Sequence, residues 1–402
     1  MAARPLSEAP EFAFGPASDA NPHEYLKAMR EQAPIARTPM GIVLALRHRH
    51  LELVTSDATR QLETETKVMQ GITSGPIWEM TRTGMLFANG ETHARRRAPV
   101  AKTFAFKLMD AMRPAAAALA AELIEPRIGA GPIDFVNEIA AQIPARIIAD
   151  ILGIPRSDLP VFMGWIADTA ESLGFIDLKR REQIEKSLVE FNDYVEKLLN
   201  DRRAAPREDF LSEYVRATAS EDALSEAEVR TQILGLILAG SDTTRGSLCL
   251  ILAHLLRHPQ QWRAFCADPQ GLKKAVVAEG LRYDPIVSGV PPRVALRDIE
   301  LDGYLIPAGT PIAVSLISAL RDPEVYADPD RFDIARTDHP RWHPIFGGGA
   351  HRCLGEALAK AEMEETLAVI ARLAPNTQLI GDVPKCSAGP IRQVGEMRVA
   401  FA

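Results

Sequence analysis

The chain has 402 residues, 47% hydrophobic and 25% charged, with a formal net charge of -7. This composition supports a large folded core and excludes a disordered or fibrous chain. The acidic balance argues against nucleic acid as the main partner, because phosphate binding needs a strong basic face. The start, MAARPLSEAPEFAFGPASDA, lacks the basic region and apolar run of a secretory signal, and no stretch is apolar for long enough to span a bilayer. A cytoplasmic protein with no membrane partner is expected, and the absence of any linker-like segment reads as a single large domain over 1–402.

In chain order, Gly41 to Leu46 is a short β-branched segment bounded by turns and reads as part of a minor sheet. Leu108 to Leu123, Ile139 to Leu152 and Ile184 to Leu199 carry apolar residues at the spacing of amphipathic helices. Ser225-Glu-Ala-Glu228 reads as a capping box, and helical pattern then runs without proline to His258-Pro259, a helix of roughly 48 Å at about 1.5 Å per residue. Its middle, Leu234 to Arg245, is apolar on most sides until it meets Asp242, Thr243 and Thr244, which make a polar break in a core helix. Ile299 to Val314, interrupted at Asp302-Gly303 and Pro307-Ala-Gly309, adds hairpins. The expected fold class is mainly α with a minor β region.

Four cysteines, Cys249, Cys266, Cys353 and Cys386, show neither zinc-ligand pairing nor C-x-x-C spacing and are expected as reduced thiols. A lone cysteine is ordinarily a small core residue, but Cys353 has a distinctive context. Helical character follows it from Leu354 to Leu373, so it lies at or just before a helix start, where unpaired amides and the helix dipole favour a thiolate. Gly347, Gly348 and Gly349 strip the preceding loop of side chains, as close approach of a flat cofactor requires. In the long helix, Thr243 alone would be an ordinary helix-bending threonine, whereas an acid such as Asp242 is costly to bury without a partner.

The stretch Phe346-Gly-Gly-Gly-Ala-His-Arg-Cys-Leu-Gly355 resembles, at every defined position, the cysteine-ligand loop of the cytochrome P-450 family, Phe-Gly-x-Gly-x-His-x-Cys-x-Gly. The resemblance implies the cytochrome P-450 fold, with haem b (iron protoporphyrin IX) buried between the long central helix and this loop. It implies Cys353 as the axial thiolate and metal ligand, whose electron push favours O-O cleavage. Phe346, Gly347 and Gly355 belong to the same loop, and His351 would reach a haem propionate. Ala239-Gly-Ser-Asp-Thr-Thr244 is similar to the family's long-helix motif, in which the small Ala239 opens a groove over the haem and the pair Asp242 and Thr243 handles protons. His93 and Arg97 match the His-x-x-x-Arg propionate clamp, and Arg293 a further propionate contact. Glu279 and Arg282 match the structural Glu-x-x-Arg pair, with Arg331 of Pro329-Asp-Arg-Phe332 as their expected third member. Leu320-Arg321 stands where the family often has Asn-Arg, a small departure.

The function implied is a haem-thiolate monooxygenase that inserts one oxygen atom from O2 into a small to medium hydrophobic substrate, usually as a hydroxylation. A peroxide-using haem-thiolate enzyme and a haem-based sensing protein without turnover are the rivals, and C-C coupling or dehydrogenation remains open. With no flavin or nicotinamide fingerprint in the chain, electrons are expected from a ferredoxin with its NAD(P)H-dependent reductase. That donor would dock near Arg95, Arg96, Lys102, Arg352 and Lys360, and a monomer is expected. By family position the substrate walls would be Leu86, Phe87, Leu238, Ala239, Val287, Gly289, Val290 and Ile391, with a lid from Glu171 to Lys179.

Overall fold

The computed structural model describes residues 3–13, 15–104, 109, 111–219 and 224–402. Seven helices position the site: α1 (Gly90–Thr103), α2 (Arg113–Ile124), α3 (Gln142–Leu152), α4 (Arg181–Ala204), α5 (Glu226–Arg257), α6 (Pro269–Tyr283) and α7 (Glu356–Leu373). The start of α5 follows its sequence: the Glu228 amide donates to the Ser225 hydroxyl at 3.3 Å, and the Ser225 amide donates to the Glu228 carboxylate at 2.9 Å. It ends at His258, because Pro259 opens the next helix and has no amide to continue the ladder. Among the described residues only α5 is long and apolar enough to cross a bilayer, but 78% of its apolar window is buried within the molecule, which makes it a core helix.

One hydrophobic core runs from Ile72 to Phe401 in sequence. α7 is buried on nearly all sides from Ala361 to Ala371 and packs against α2, α5 and α6. α2 meets it with an alanine-rich stretch, Ala115 to Ala121, whose small side chains permit close packing. Two expected helices shift their bounds. The one expected from Leu108 is described as α2 from Arg113, Leu108 lying outside the described residues. The one expected from Ile139 divides into a π turn at Val136–Ala140 and α3, which Gly153 ends in the left-handed conformation at φ 64°.

The main sheet comprises β1 (Ile35–Arg37), β2 (Val43–Ala45), β3 (Thr59–Gln61), β4 (Arg293–Ala295) and β5 (Pro311–Val314), in the order β1-β2-β5-β4-β3. β2 and β5 are parallel and the other neighbours antiparallel. The stretch from Ile299 to Val314 divides between two sheets. Ile299–Leu301 and Tyr304–Ile306 form the hairpin expected at Asp302-Gly303, where φ is 50° and 79°. The Pro307-Ala-Gly309 break then sends β5 to pair with β4 and β2.

Glu279 and Arg282 of α6 are fully buried and joined by two hydrogen bonds, at 2.7 and 2.8 Å. The expected third member, Arg331, stays outside: its side chain is exposed and pairs with Asp333, and only its carbonyl accepts from Arg282, at 3.0 Å. Arg336 takes the position instead, its Nε 3.3 Å from Glu279 Oε2. The Glu279 carboxylate also accepts the Asp333 amide at 2.7 Å. The chain is thereby drawn past Glu279, so that the following Asp333–Arg336 turn, and not the earlier arginine, folds inward.

Candidate functional site

A cavity of about 870 Å³ lies between the middle of α5, the loop before α7, and the segments around Phe87 and Val287. From Thr231 to Ile251 α5 is buried or half-buried at every position except Ala239 and Gly240, which are exposed, and both line this cavity. Two successive residues without bulk therefore create a hollow in an otherwise filled core helix. Thr243 also lines the cavity, and its hydroxyl donates back to the Ala239 carbonyl at 3.0 Å. Asp242 does not line it. Its carboxylate points aside to Arg245 at 2.9 Å and receives the Gln393 amide at 3.1 Å.

Opposite α5, the Cys353 amide donates to the Phe346 carbonyl at 2.8 Å and closes the loop around the cysteine. Gly347 and Gly349 take left-handed conformations, φ 66° and 60°, that favour glycine. Only Gly347 of the glycine run lines the cavity. A Cβ on Gly349 would meet Thr55 at 3.2 Å, and one on Gly348 would meet Thr55 and Val54, so these two glycines serve a close contact with the neighbouring segment. Phe346, His351, Cys353 and Gly355 all border the cavity, and the Cys353 side chain is exposed to it. Gly355 is the N-cap of α7, so Cys353 precedes the helix instead of starting it. Burial pushes the Cys353 thiol up and Glu356 adds to this, more than the Gly355 amide and the Arg97 and Arg352 guanidiniums push it down. Proximity to the helix start therefore does not by itself lower this thiol.

Basic groups converge at one edge of the same cavity. His93 and His351 lie with ring centroids 4.0 Å apart, and both line the cavity together with Arg97. Burial, then the neighbouring His93, Arg293 and Arg97, push His351 down to about 4. Burial and Arg97 lower His93 as well. Arg293 stands just outside the lining, bonded to the Thr59 hydroxyl at 2.6 Å and carbonyl at 3.0 Å, while Arg97 donates to the Arg352 carbonyl at 2.5 Å. Neither arginine has an acidic partner among the described residues. A half-buried cationic edge of this kind fits an occupant that brings its own carboxylates. With a free sulfur on one wall and a bulk-free hollow on the other, the residues fit a flat, dianionic, metal-bearing ring.

The model of the family described as "Cytochrome P450" matches residues 14–264 and 272–372. The chain belongs to the cytochrome P450 family. It is 39% identical over 388 residues to "Cytochrome P450-pinF1, plant-inducible" of Rhizobium radiobacter, covering 96% of this chain and 91% of that one. It is 31% identical to luteothin monooxygenase of Streptomyces thioluteus, covering 88% and 86%. Among solved structures it is similar to the myxobacterial cytochrome P450 CYP267B1 in complex with myristic acid, at a TM-score of 0.87, with 31% identity and 97% and 98% coverage. As a cytochrome P450 it is an oxidoreductase of the monooxygenase class, in a family of haem-thiolate enzymes.

In this P450 the expected wall residues Leu86, Phe87, Val287, Gly289, Val290 and Ile391 border the cavity, and Leu238 does not. Leu238 is 1% exposed and packs in the core, because at one residue before Ala239 it is turned about 100° round the helix. The segment expected as a lid is bonded to the Glu65–Met69 helix and its cap. The Lys67 ammonium donates to the Gly174 carbonyl, Gln70 donates to the Ile176 carbonyl at 2.9 Å, and the Ile176 amide returns to Gln70 at 3.2 Å.

The expected basic face is largely engaged in ion pairs. Arg95 and Arg96 grip Glu228 at 2.6 and 2.8 Å, and Arg352 and Lys360 grip Glu356 at 2.6 and 2.7 Å. Arg245, Gln393 and Arg336, and the pairing of Glu228 with α1, carried no sequence signal, because each acts through a partner distant in sequence or through a local motif with several readings. Glu362 does not line up with any motif either, yet it borders the cavity, and burial pushes its carboxyl up to about 8.

Proposed function

We propose that the chain is a haem b monooxygenase in which Cys353 ligates the iron and His93, Arg97, Arg293 and His351 receive the propionates. The reading rests on one observation above all: Cys353 lines the same cavity as Ala239, Gly240 and Thr243, and at its edge Arg97 and Arg293 have no acidic partner among the described residues. When bound there, the haem supplies the redox chemistry that activates O2. The protein's own contribution is positional. Phe346 and the Gly347 turn hold the sulfur, and Arg97 and His93 orient the ring from α1. Thr243, whose hydroxyl has only a helix carbonyl as partner among the described residues, can turn that proton toward the cavity, with Asp242 beside it in sequence as the acid that restores it.

The substrate is neutral and apolar. Apart from the cationic edge, the charged groups that border the cavity are Asp19 at its mouth, Glu362, and Arg392, which is already bonded to Asp284 at 2.6 Å. Among the described residues, no free cation beyond that edge borders the cavity to receive a substrate carboxylate. Electrons come from a ferredoxin-type donor and its NAD(P)H-dependent reductase, which places the enzyme in the cytoplasm. The donor approaches the cysteine-loop side, where Trp342 is 61% exposed and Arg352 stacks on its ring at 4.9 Å.

The deciding experiment is the absorption spectrum of the purified protein, reduced and exposed to carbon monoxide. A strongly red-shifted Soret band that is lost in Cys353→His supports the reading. A band at the position of a histidine or neutral-thiol ligand in the unaltered protein overturns it.

A further inference from the structure

Asp242, Arg245 and Gln393 form a closed ring of side chains. The carboxylate of Asp242 meets Arg245 at 2.9 Å and Gln393 Nε2 at 3.1 Å, and Arg245 donates to Gln393 Oε1 at 2.5 Å. Each of the three contacts uses a different pair of polar groups, and the side-chain amide of Gln393 serves both partners at once. Asp242 is buried at one side of the ring, while Gln393 is exposed and does not border the cavity.

Gln393 belongs to a loop that does border it. The backbone of Ser387 and Gln393 is bonded at 2.8 Å, the Gln393 amide donates to the Ser387 hydroxyl at 3.0 Å, and Cys386 and Val394 form a bridge. Between these two arms the tip, Ser387 to Arg392, lines the cavity. The tip is held from its other side by the Val287–Ile391 bridge and by the Ser288 amide donating to the Pro390 carbonyl at 3.0 Å. A single short loop thus touches the cavity with its tip and the Asp242 carboxylate with its arm.

We propose that Gln393 is a positioning residue which, with Arg245, ties the acid Asp242 to the substrate-facing loop, so that filling the cavity resets the carboxylate next to Thr243. This rests on the proton-delivery reading of Asp242 and Thr243. While the ring is closed, both Asp242 carboxylate oxygens are engaged by groups outside the cavity lining. Displacement of the tip draws Gln393 off and leaves Arg245 as the remaining partner, which frees one carboxylate oxygen to turn.

The test uses the haem-loaded enzyme with spinach ferredoxin, its reductase and NADPH, with 7-ethoxycoumarin as the neutral apolar probe. NADPH oxidation, peroxide release and the solvent deuterium effect on NADPH oxidation are compared for the unaltered protein, Gln393→Leu and Gln393→Asn. Gln393→Leu keeps bulk and removes both polar groups; it should leave the carbon monoxide spectrum unchanged, raise the peroxide share by about threefold or more and alter the solvent effect. Gln393→Asn, which retains the amide, should recover part of the difference. Independently of turnover, hydrogen exchange at residues 239–246 and 385–395 should rise together in Gln393→Leu. Unchanged peroxide share, solvent effect and exchange at 239–246 would overturn the proposal. If Thr243→Ala likewise leaves the peroxide share unchanged, the proton-delivery reading itself fails; if Thr243→Ala raises it and Gln393→Leu does not, only the present inference fails.

Discussion

Arg336 lies with its Nε 3.3 Å from the Glu279 carboxylate, inside the core, while Arg331 five residues earlier points to solvent. The Glu279 carboxylate is thus satisfied by Arg282, Arg336 and the Asp333 amide together. Removing one partner of a fully buried pair leaves an uncompensated charge, at about 3–5 kcal/mol. Arg336→Ala should therefore lower the Tm and the haem retained per chain, whereas Arg331→Ala should stay within about 0.5 kcal/mol of the unaltered protein. Thermal unfolding and the haem-to-protein absorbance ratio check both, and equal losses in the two variants would contradict the assignment.

Thr243→Ala removes a hydroxyl that faces the cavity and has only the Ala239 carbonyl as partner. Helix stability should hardly change, since alanine is the better helix former. The proton supply should suffer, with peroxide release per NADPH rising by about tenfold while ligand binding stays intact. Tight coupling of NADPH use to product in this variant would remove Thr243 from the proton route.

Burial pushes the Glu362 carboxyl up to about 8, from an ordinary value of 4.5. The folded chain then holds a proton that the unfolded chain releases, so this group costs stability as pH rises from about 4.5 to about 8, by about 1.4 kcal/mol per unit. Below that window it costs nothing. Glu362→Gln should match the unaltered protein near pH 4.5 and become progressively more stable toward pH 8. Denaturant midpoints across this range measure the difference, and parallel curves for the two proteins would refute it.

Wall and core are separable by substitution. Val287 borders the cavity and Leu238 does not. Val287→Phe should change which ligands give a spin-state shift at little cost in stability. Leu238→Ala should leave that ligand profile alone and destabilise by about 2–5 kcal/mol. A ligand screen by absorbance beside an unfolding curve distinguishes the two.

The cysteine loop and the small residues of α5 were legible because their chemistry restricts them to particular residue types at fixed local spacing. Capping at Ser225 and Glu228 was legible for the same reason. Side-chain direction was not. Neighbours on a helix differ by about 100°, so of Leu238, Ala239 and Asp242, close together in sequence, only Ala239 borders the cavity. Arg331 was expected to join Glu279 from the family resemblance, and the turn at Asp333 decided otherwise. The engagement of Arg95 and Arg96 by Glu228 joins residues more than a hundred positions apart, a pairing that no local pattern encodes.

Glu228 is at once the third helical residue of the α5 cap and the anchor for two arginines of α1. Although burial works against its charge, Arg95, the Ser225 amide and Arg96 hold it down to about 2. The helix that carries His93 and Arg97 is in this way riveted to the helix that carries Ala239 and Thr243. Where Lys67 and Gln70 reach the Gly174–Ile176 backbone, the contact is made, among the described residues, by hydrogen bonds to backbone groups. The two joints are therefore made of different chemistry: an ion-paired one that keeps α1 in register with α5, and a hydrogen-bonded one at residues 174–176 that salt would affect far less.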